Sequence, residues 1–216
     1  MKILTDNFVT NKSILFGRNV RNSAALLLAA TGLILALPAH SATVFAHVAT
    51  PLAGASTISS NAVTHPDGSD RDVTAYDNFT LSKSAKITRV TWRGSSADKG
   101  LAGFTIKIFA SQANQAAQAD TATPMAEIRL AGNAGEKPVE KNLSDYHADF
   151  SQPISLTGGV QYWISIVSNR NDLSPWGWAE GKGGDGKSIQ SYNEFKILPA
   201  PGDRAFSLED GQEPAK

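Results

Sequence analysis

Apolar and polar residues that alternate with a period of two constrain the fold more than any other feature of this chain. In the segment GFTIKIFAS, Phe104, Ile106 and Ile108 lie on one side of an extended backbone and polar residues lie mostly on the other. The segment VQYWISIVS alternates in the same way and is rich in β-branched and aromatic residues. After residue 42, almost no segment has the spacing of an amphipathic helix. The pattern therefore predicts strands and very little helix.

Further strands are predicted where short alternating runs end at clusters of Gly, Pro, Ser or Asn. These runs are 77–81, 86–93, 125–131, 146–151 and 205–209, with 43–49 as an edge strand. The segment SQANQAAQAD, residues 111–120, contains no large apolar residue, so we interpret it as a solvated loop or one exposed turn. Strands without intervening helices predict an all-β fold, an antiparallel two-sheet β-sandwich of the jelly-roll type.

The side of the strand on which each side chain lies predicts the core. A buried face fixes the register of a strand, because a shift of one residue would turn every side chain to the opposite face. The predicted core residues are Phe79, Val90, Trp92, Phe104, Ile106, Ile108, Tyr162, Ile164, Ile166 and Phe206.

Residues 1–41 have the three parts of a secretory signal peptide: a basic leader, an apolar run of 14 residues and an exit with small side chains. Pro38 ends the apolar run, and Ala39 and Ser41 fit the positions before a cleavage site, so cleavage is predicted before Ala42, with Ala46 as the weaker alternative. The run is shorter than the roughly 20 residues that span a bilayer. We therefore expect one domain, residues 42–216, that is secreted or periplasmic and has no membrane attachment after cleavage.

Composition excludes several classes of function. The chain has no cysteine, which excludes disulfides, thiolate zinc sites and cysteine nucleophiles. Its 20 Lys+Arg balance 20 Asp+Glu, and loss of residues 1–41 would leave 16 and 19, a net charge of −3. A nucleic-acid partner is not expected, because the chain lacks the basic excess that phosphate binding requires.

The order of several motifs resembles a known family. YDNFTLSKSAKITRVTWRG, FTIKIFAS, DFS, VQYWISIVS, WGWAEGKGGDG and AFSLE follow one another between Tyr76 and Glu209. This order is similar to that of bacterial exported β-sandwich domains that often occur in proteins with a PEP-CTERM surface-sorting tail. The resemblance implies the sandwich fold and export. It implies neither anchoring, since the EPAK end does not match the sorting tail, nor an enzymatic activity.

The loop HPDGSDRD is a candidate calcium site. Asp67, Asp70 and Asp72 place three carboxylates in one short segment, and calcium takes six to eight oxygen ligands. The spacing is not that of an EF-hand, and Asp-Gly-Ser clusters also form ordinary turns. A structural calcium ion and a solvated turn are both left open.

The segment SPWGWAEGKGGDG is a candidate ligand site. If this segment is extended, Trp176 and Trp178 share one face and could form a platform on which a sugar ring stacks. Glu180 and Asp185 would then accept hydrogen bonds from ligand hydroxyls. Alternatively, both indoles close one end of the core beneath the glycine-rich loop. The glycine between them permits a bend, so we expect Trp178 to be partly exposed and Trp176 to be more buried.

Catalytic motifs are absent from the sequence. There is no G-x-S-x-G, H-E-x-x-H, P-loop or dinucleotide motif, and His147 is expected to point to solvent. Glycosidic cleavage would need paired carboxylates, for which Glu180, Asp185 and Asp172 are the nearest candidates.

These observations favour an exported, non-catalytic binding protein with an extracellular or envelope polysaccharide as partner, or a protein associated with a surface or extracellular matrix. Two alternatives stay open: a polysaccharide-active enzyme on the same scaffold, and a structural module without a small-molecule ligand. No cofactor other than the calcium ion is expected.

Overall fold

The computed structural model describes residues 41–50, 55–62, 72–112, 115–119, 123–140, 142–192 and 196–211. Sixteen strands and no helix occur in these ranges. No helix capable of crossing a bilayer is found among them. The predicted signal peptide, apart from Ser41, lies outside the described residues.

The strands divide equally between two sheets. They are β1 (Ala42–Ala49), β2 (Ala55–Ile58), β3 (Ser60–Ala62), β4 (Val73–Thr80), β5 (Ala85–Ser95), β6 (Leu101–Gln112), β7 (Gln115–Ala119), β8 (Ala126–Ala131), β9 (Lys137–Glu140), β10 (Leu143–Leu156), β11 (Gln161–Arg170), β12 (Gly177–Lys182), β13 (Lys187–Tyr192), β14 (Lys196–Pro201), β15 (Asp203–Arg204) and β16 (Phe206–Asp210). Sheet 1 has the order β15-β12-β1-β16-β5-β10-β9, with β2 also paired to β12. Sheet 2 has the order β14-β13-β4-β3-β11-β6-β7, with β8 also paired to β6. Among the described pairs only β3 and β11 run parallel, so the predicted antiparallel β-sandwich is confirmed.

The core lies between the two sheets and follows from alternation in paired strands. Ile106 of β6 lies opposite Ile166 of β11, and Ile108 lies opposite Ile164. Because residues directly opposite in a sheet share a face, both strands present their aliphatic side chains to the same interior. All ten predicted core residues belong to this buried cluster.

The outer face of sheet 2 carries a second, smaller apolar cluster. Tyr76, Phe109 and Trp163 are buried there, with Ile189 packed against them. This cluster partly buries the side chains of β6 and β11 that point away from the main core. The result agrees with the apolar character of both faces of β11.

Two sequence-based predictions about strands are wrong. The run 43–49 is not an edge strand, because β1 pairs with β16 on one side and with β12 on the other. The segment 111–120 is not simply a loop or exposed turn. Its first residues extend β6, and residues 115–119 form β7, which pairs with β6. Backbone pairing to a long existing strand outweighs the weak helix preference of alanine and glutamine.

Candidate functional site

Trp176 and Trp178 lie in the core. Their exposed fractions are 1% and 0%. Each indole N–H has a backbone acceptor: Trp176 Nε1 donates to Ser95 O at 2.8 Å, and Trp178 Nε1 donates to Ala205 O at 2.9 Å. Both rings therefore lie within the protein, with their polar atoms satisfied.

Close packing of β12 against β5 explains this burial. Trp178 pairs with Gly94, and a Cβ atom at Gly94 would lie 2.0 Å from Cζ2 of Trp176. The absence of a side chain at Gly94 admits the Trp176 ring, which packs edge-on against Phe104. The stacking-platform interpretation is therefore wrong, and so is the expected exposure of Trp178. The indoles occupy the core, as the alternative interpretation held.

Glu180 and Asp185 have structural partners. Glu180 is half-buried on β12 and lies opposite Arg204 of β15. Asp185 is exposed; its Oδ1 accepts the backbone N–H of Lys187 at 3.0 Å, and its Oδ2 accepts Nδ2 of Asn78 at 3.3 Å. Without an indole platform beside them, these carboxylates do not form the predicted sugar site.

Asp172, the third carboxylate considered for catalysis, bonds Arg170. Arg170 Nε donates to Asp172 Oδ1 at 2.9 Å, and this bond lowers the pKa of the Asp172 carboxyl below its ordinary value. A carboxyl with a lowered pKa is a poor general acid near neutral pH. Asp172, Glu180 and Asp185 do not form a joint cluster among the described residues.

The calcium prediction stays a prediction. Asp67 and Asp70 lie outside the described residues, and Asp72 is half-buried directly before β4.

A buried polar cluster that the sequence analysis did not identify lies near one end of the core. His47 of β1, Asp77 of β4 and Asp203 of β15 are all buried, with one ligand-type atom of each within 4.8 Å of the others. His47 Nδ1 bonds Asp77 Oδ2 at 2.9 Å, and the backbone N–H of Arg204 donates to the same oxygen at 2.7 Å. Since β1 belongs to sheet 1 and β4 to sheet 2, the His47–Asp77 bond joins the two sheets.

The glycine-rich turn between β12 and β13 closes over this cluster. The backbone N–H groups of Gly184 and Gly186 donate to the two oxygens of Asp203 at 2.9 and 2.8 Å. A Cβ atom at Gly184 would lie 2.5 Å from His47 Nε2, so glycine is required for this close approach. The glycines of GKGGDG thus hold a buried carboxylate of the protein itself.

The electrostatics of the cluster are those of an internal clamp. Burial raises the pKa of Asp77 above its ordinary value, while the bonds from His47 and the Arg204 backbone oppose that rise. The Arg204 side chain is also buried and donates to Thr57 and to the Pro201 and Gly202 carbonyls. One nitrogen and two carboxylates that already accept protein N–H groups do not fit the oxygen-rich shell of calcium. We therefore interpret the cluster as a hydrogen-bonded inter-sheet clamp, not as the predicted calcium site.

An open groove lies on the outer face of sheet 1. Its volume is about 530 Å³. Its floor is a row of outward residues across four strands: His147 of β10 pairs with Thr91 of β5, Thr91 with Ser207 of β16, and Ser207 with Ala46 of β1. The Thr91 and Ser207 hydroxyls bond each other at 2.6 Å. Three of the four side chains are small, which is why the surface is depressed here.

Longer charged side chains flank the floor on both sides. One wall is the row Lys137, Asp145 and Arg93, from β9, β10 and β5. The opposite wall contains Arg89, which pairs across the sheet with Asp149. Each wall is two residues along the strands from the floor, so the walls lie about 14 Å apart at about 3.4 Å per residue.

Ion pairs hold the arginines of both walls in place. Arg93 donates through Nε and Nη2 to the two oxygens of Asp145 at 2.7 and 3.0 Å. Arg89 bonds Asp149 in the same bidentate manner at 2.5 and 3.2 Å. Such paired geometry limits the freedom of long side chains and presents a defined polar surface. His147 is exposed at the end of the floor, as predicted.

Part of the buried polar cluster could have been predicted from the sequence, whereas the groove could not. Alternation places His47 on the same face as Phe45, and Asp77 on the same face as Phe79, so two inward polar residues could have been noticed. A buried carboxylate requires a partner. The groove had no such signal, because it depends on which residues become neighbours across five strands.

Comparison with protein-family models and with curated proteins found no match for this chain. The resemblance of residues 76–209 to exported sandwich domains therefore stays a prediction.

Proposed function

We propose that this protein is an exported, non-catalytic binding protein, and that the groove on the outer face of sheet 1 binds an extracellular or envelope polysaccharide. The observation that carries the proposal is the groove's composition. A floor of small and hydroxyl-bearing side chains lies between walls that offer both donors and acceptors. Sugar hydroxyls act as donors and acceptors together, so they match such a surface.

Binding is favoured over catalysis by the state of the groove's reactive groups. Both oxygens of Asp145 are engaged in a bidentate ion pair with Arg93. The hydroxyls of Thr91 and Ser207 bond each other, whereas an activated nucleophile would bond a general base. These contacts support recognition by fixed polar groups.

Export is part of the proposal and rests on the signal pattern of residues 1–41. We place the mature protein in the periplasm or outside the cell, with no nucleic-acid partner. A structural calcium ion at Asp67, Asp70 and Asp72 is compatible with this role, and for this reason binding is measured with and without calcium.

A glycan array probed with the purified protein, with and without calcium, tests the proposal. We expect binding to a limited set of polysaccharides. Ser207→Tyr, which places a large ring on the floor, should reduce that binding at least tenfold. Thr80→Tyr is the matched control, since Thr80 is an exposed position at the end of β4 in sheet 2. Absence of binding to every glycan, or equal binding by wild type and Ser207→Tyr, would contradict the proposed function.

A further inference from the structure

The two walls of the groove differ in the sign of their charge. The first wall has two cations, Lys137 and Arg93, and one carboxylate, Asp145. On the opposite side the groove is lined by Arg89, which lies in register between Asp149 and Glu209; these two residues border the groove just beyond its lining, so that row has two carboxylates and one cation. The first wall is the positive side of the groove, the row that borders it at Arg89 is the negative side, and a floor of mostly small side chains separates them.

The positive side is also the more available to a ligand carboxylate. Lys137 is exposed and makes no ion pair among the described residues. His147 lies next to this wall, where a Cβ atom at Gly135 would be 2.2 Å from the ring. The ring is thus packed against the 132–135 turn, at the end of the floor nearest Lys137.

The negative side supplies acceptors. The Asp149 side chain is 62% exposed although it bonds Arg89, and a carboxylate has more lone pairs than one arginine can use. Glu209 accepts the Ser41 hydroxyl through Oε2 at 2.7 Å, and cleavage before Ala42 would remove that donor. Carboxylates at these positions suit hydroxyl donors and repel a second anion.

We infer that the groove selects glycans built from carboxylate-bearing sugars, with the ligand carboxylate against Lys137, Arg93 and His147 and the ligand hydroxyls towards Asp149 and Glu209. This inference rests on the proposed function, since it names the class of polysaccharide that the same groove takes. A sugar acid carries one anionic group and several hydroxyls on each ring, which matches one positive and one negative side. A polyphosphate, with anionic charge along its whole length, would meet repulsion at the acidic side.

Titration calorimetry with a galacturonic acid hexamer and its fully methyl-esterified form tests the inference. The two probes have the same sugar backbone and differ in the charge of the carboxyl groups. We expect the acid form to bind at least tenfold more tightly, with an affinity that falls as salt is raised. Equal affinity for the two forms would overturn the inference.

Charge variants locate the effect. Lys137→Met and Lys137→Glu should reduce affinity for the acid hexamer, the second more than the first, and should reduce the preference for the acid form over the ester. Lys187→Glu is the matched control, because Lys187 is an exposed lysine of sheet 2. Melting curves establish that each variant is folded. An equal loss in Lys137→Glu and Lys187→Glu would place the effect in overall charge and overturn the inference.

The outcomes separate the inference from the proposed function. The protein could bind neutral glycans without preferring acidic ones, and Ser207→Tyr could remove that binding. This result would overturn the inference while supporting the proposed function. Failure to bind any glycan would overturn both.

Discussion

Asp77 and Asp149 each bond a basic side chain, yet their surroundings are opposite. Asp77 is fully buried between the sheets with His47, whereas Asp149 is largely exposed on the outer face with Arg89. Burial raises the pKa of Asp77, and Arg89 lowers the pKa of Asp149. A buried pair that loses one member leaves a desolvated partner behind, while an exposed partner returns to water.

Asp77→Ala should therefore destabilise the protein by about 3–5 kcal/mol, because the His47 imidazole and the Arg204 backbone N–H lose their acceptor. Asp149→Ala is the matched control and should cost about 0–1 kcal/mol. Urea unfolding of both variants measures the difference. Similar losses of stability in the two variants would show that the clamp does not join the sheets as described.

Tyr146 gives a pH dependence with a definite sign. Burial raises the pKa of its hydroxyl, which donates to Ser95 O at 2.5 Å. The folded state therefore holds the phenolic proton more tightly than the unfolded state, whose tyrosines ionise near about pH 10. Stability should fall as the pH rises above about 10, and Tyr146→Phe should remove part of that fall. The free energy of unfolding measured from pH 8 to pH 11 tests this, and parallel curves for the two proteins would contradict it.

At the scale of strands, the sequence is informative where side chains alternate. Ile106, Ile164 and Trp92 could be assigned to the core from the period of two alone. The short strands from β12 to β15 could not, because they are rich in glycine, proline and polar residues, which give no strand signal. The inner position of β1 was missed for the same reason, since one of its partners is β12.

Contact between β5 and β12 gives a prediction at this scale. Gly94→Ala should destabilise by about 1–3 kcal/mol or more, because the new methyl group would collide with the Trp176 ring. In a Trp176→Phe background the collision with the indole is removed and only the Gly177 carbonyl at 2.6 Å remains, so Gly94→Ala should cost less there. A double-mutant cycle by thermal melting measures this coupling. Strict additivity of the two substitutions would show that the ring does not occupy the space at Gly94.

At the scale of the whole molecule, the groove depends on register. Thr91, Ser207, Ala46 and His147 are far apart in the sequence and become one row only when β10, β5, β16 and β1 pair as they do. A shift of one residue in any of these pairs would replace the row, and alternation alone cannot fix which residues lie opposite. The sequence therefore predicted the sandwich and its core, whereas the platform it suggested at Trp176 and Trp178 is buried.

The start of β1 gives a prediction about processing. Cleavage before Ala42 would create an α-amino group at the atom that now donates to Asp210 Oδ1 at 3.2 Å. N-terminal sequencing of the exported protein should find Ala42 first. A mature protein that begins elsewhere would contradict the predicted site.

We propose that this protein binds its ligand on the outer face of sheet 1. A two-dimensional NMR titration of the ¹⁵N-labelled protein with the galacturonic acid hexamer tests this most directly. We expect amide shift changes concentrated at Thr91, His147, Ser207 and Lys137, with few at the β12–β13 turn. Changes concentrated at Asp185 and its neighbours, with the groove residues unaffected, would contradict it.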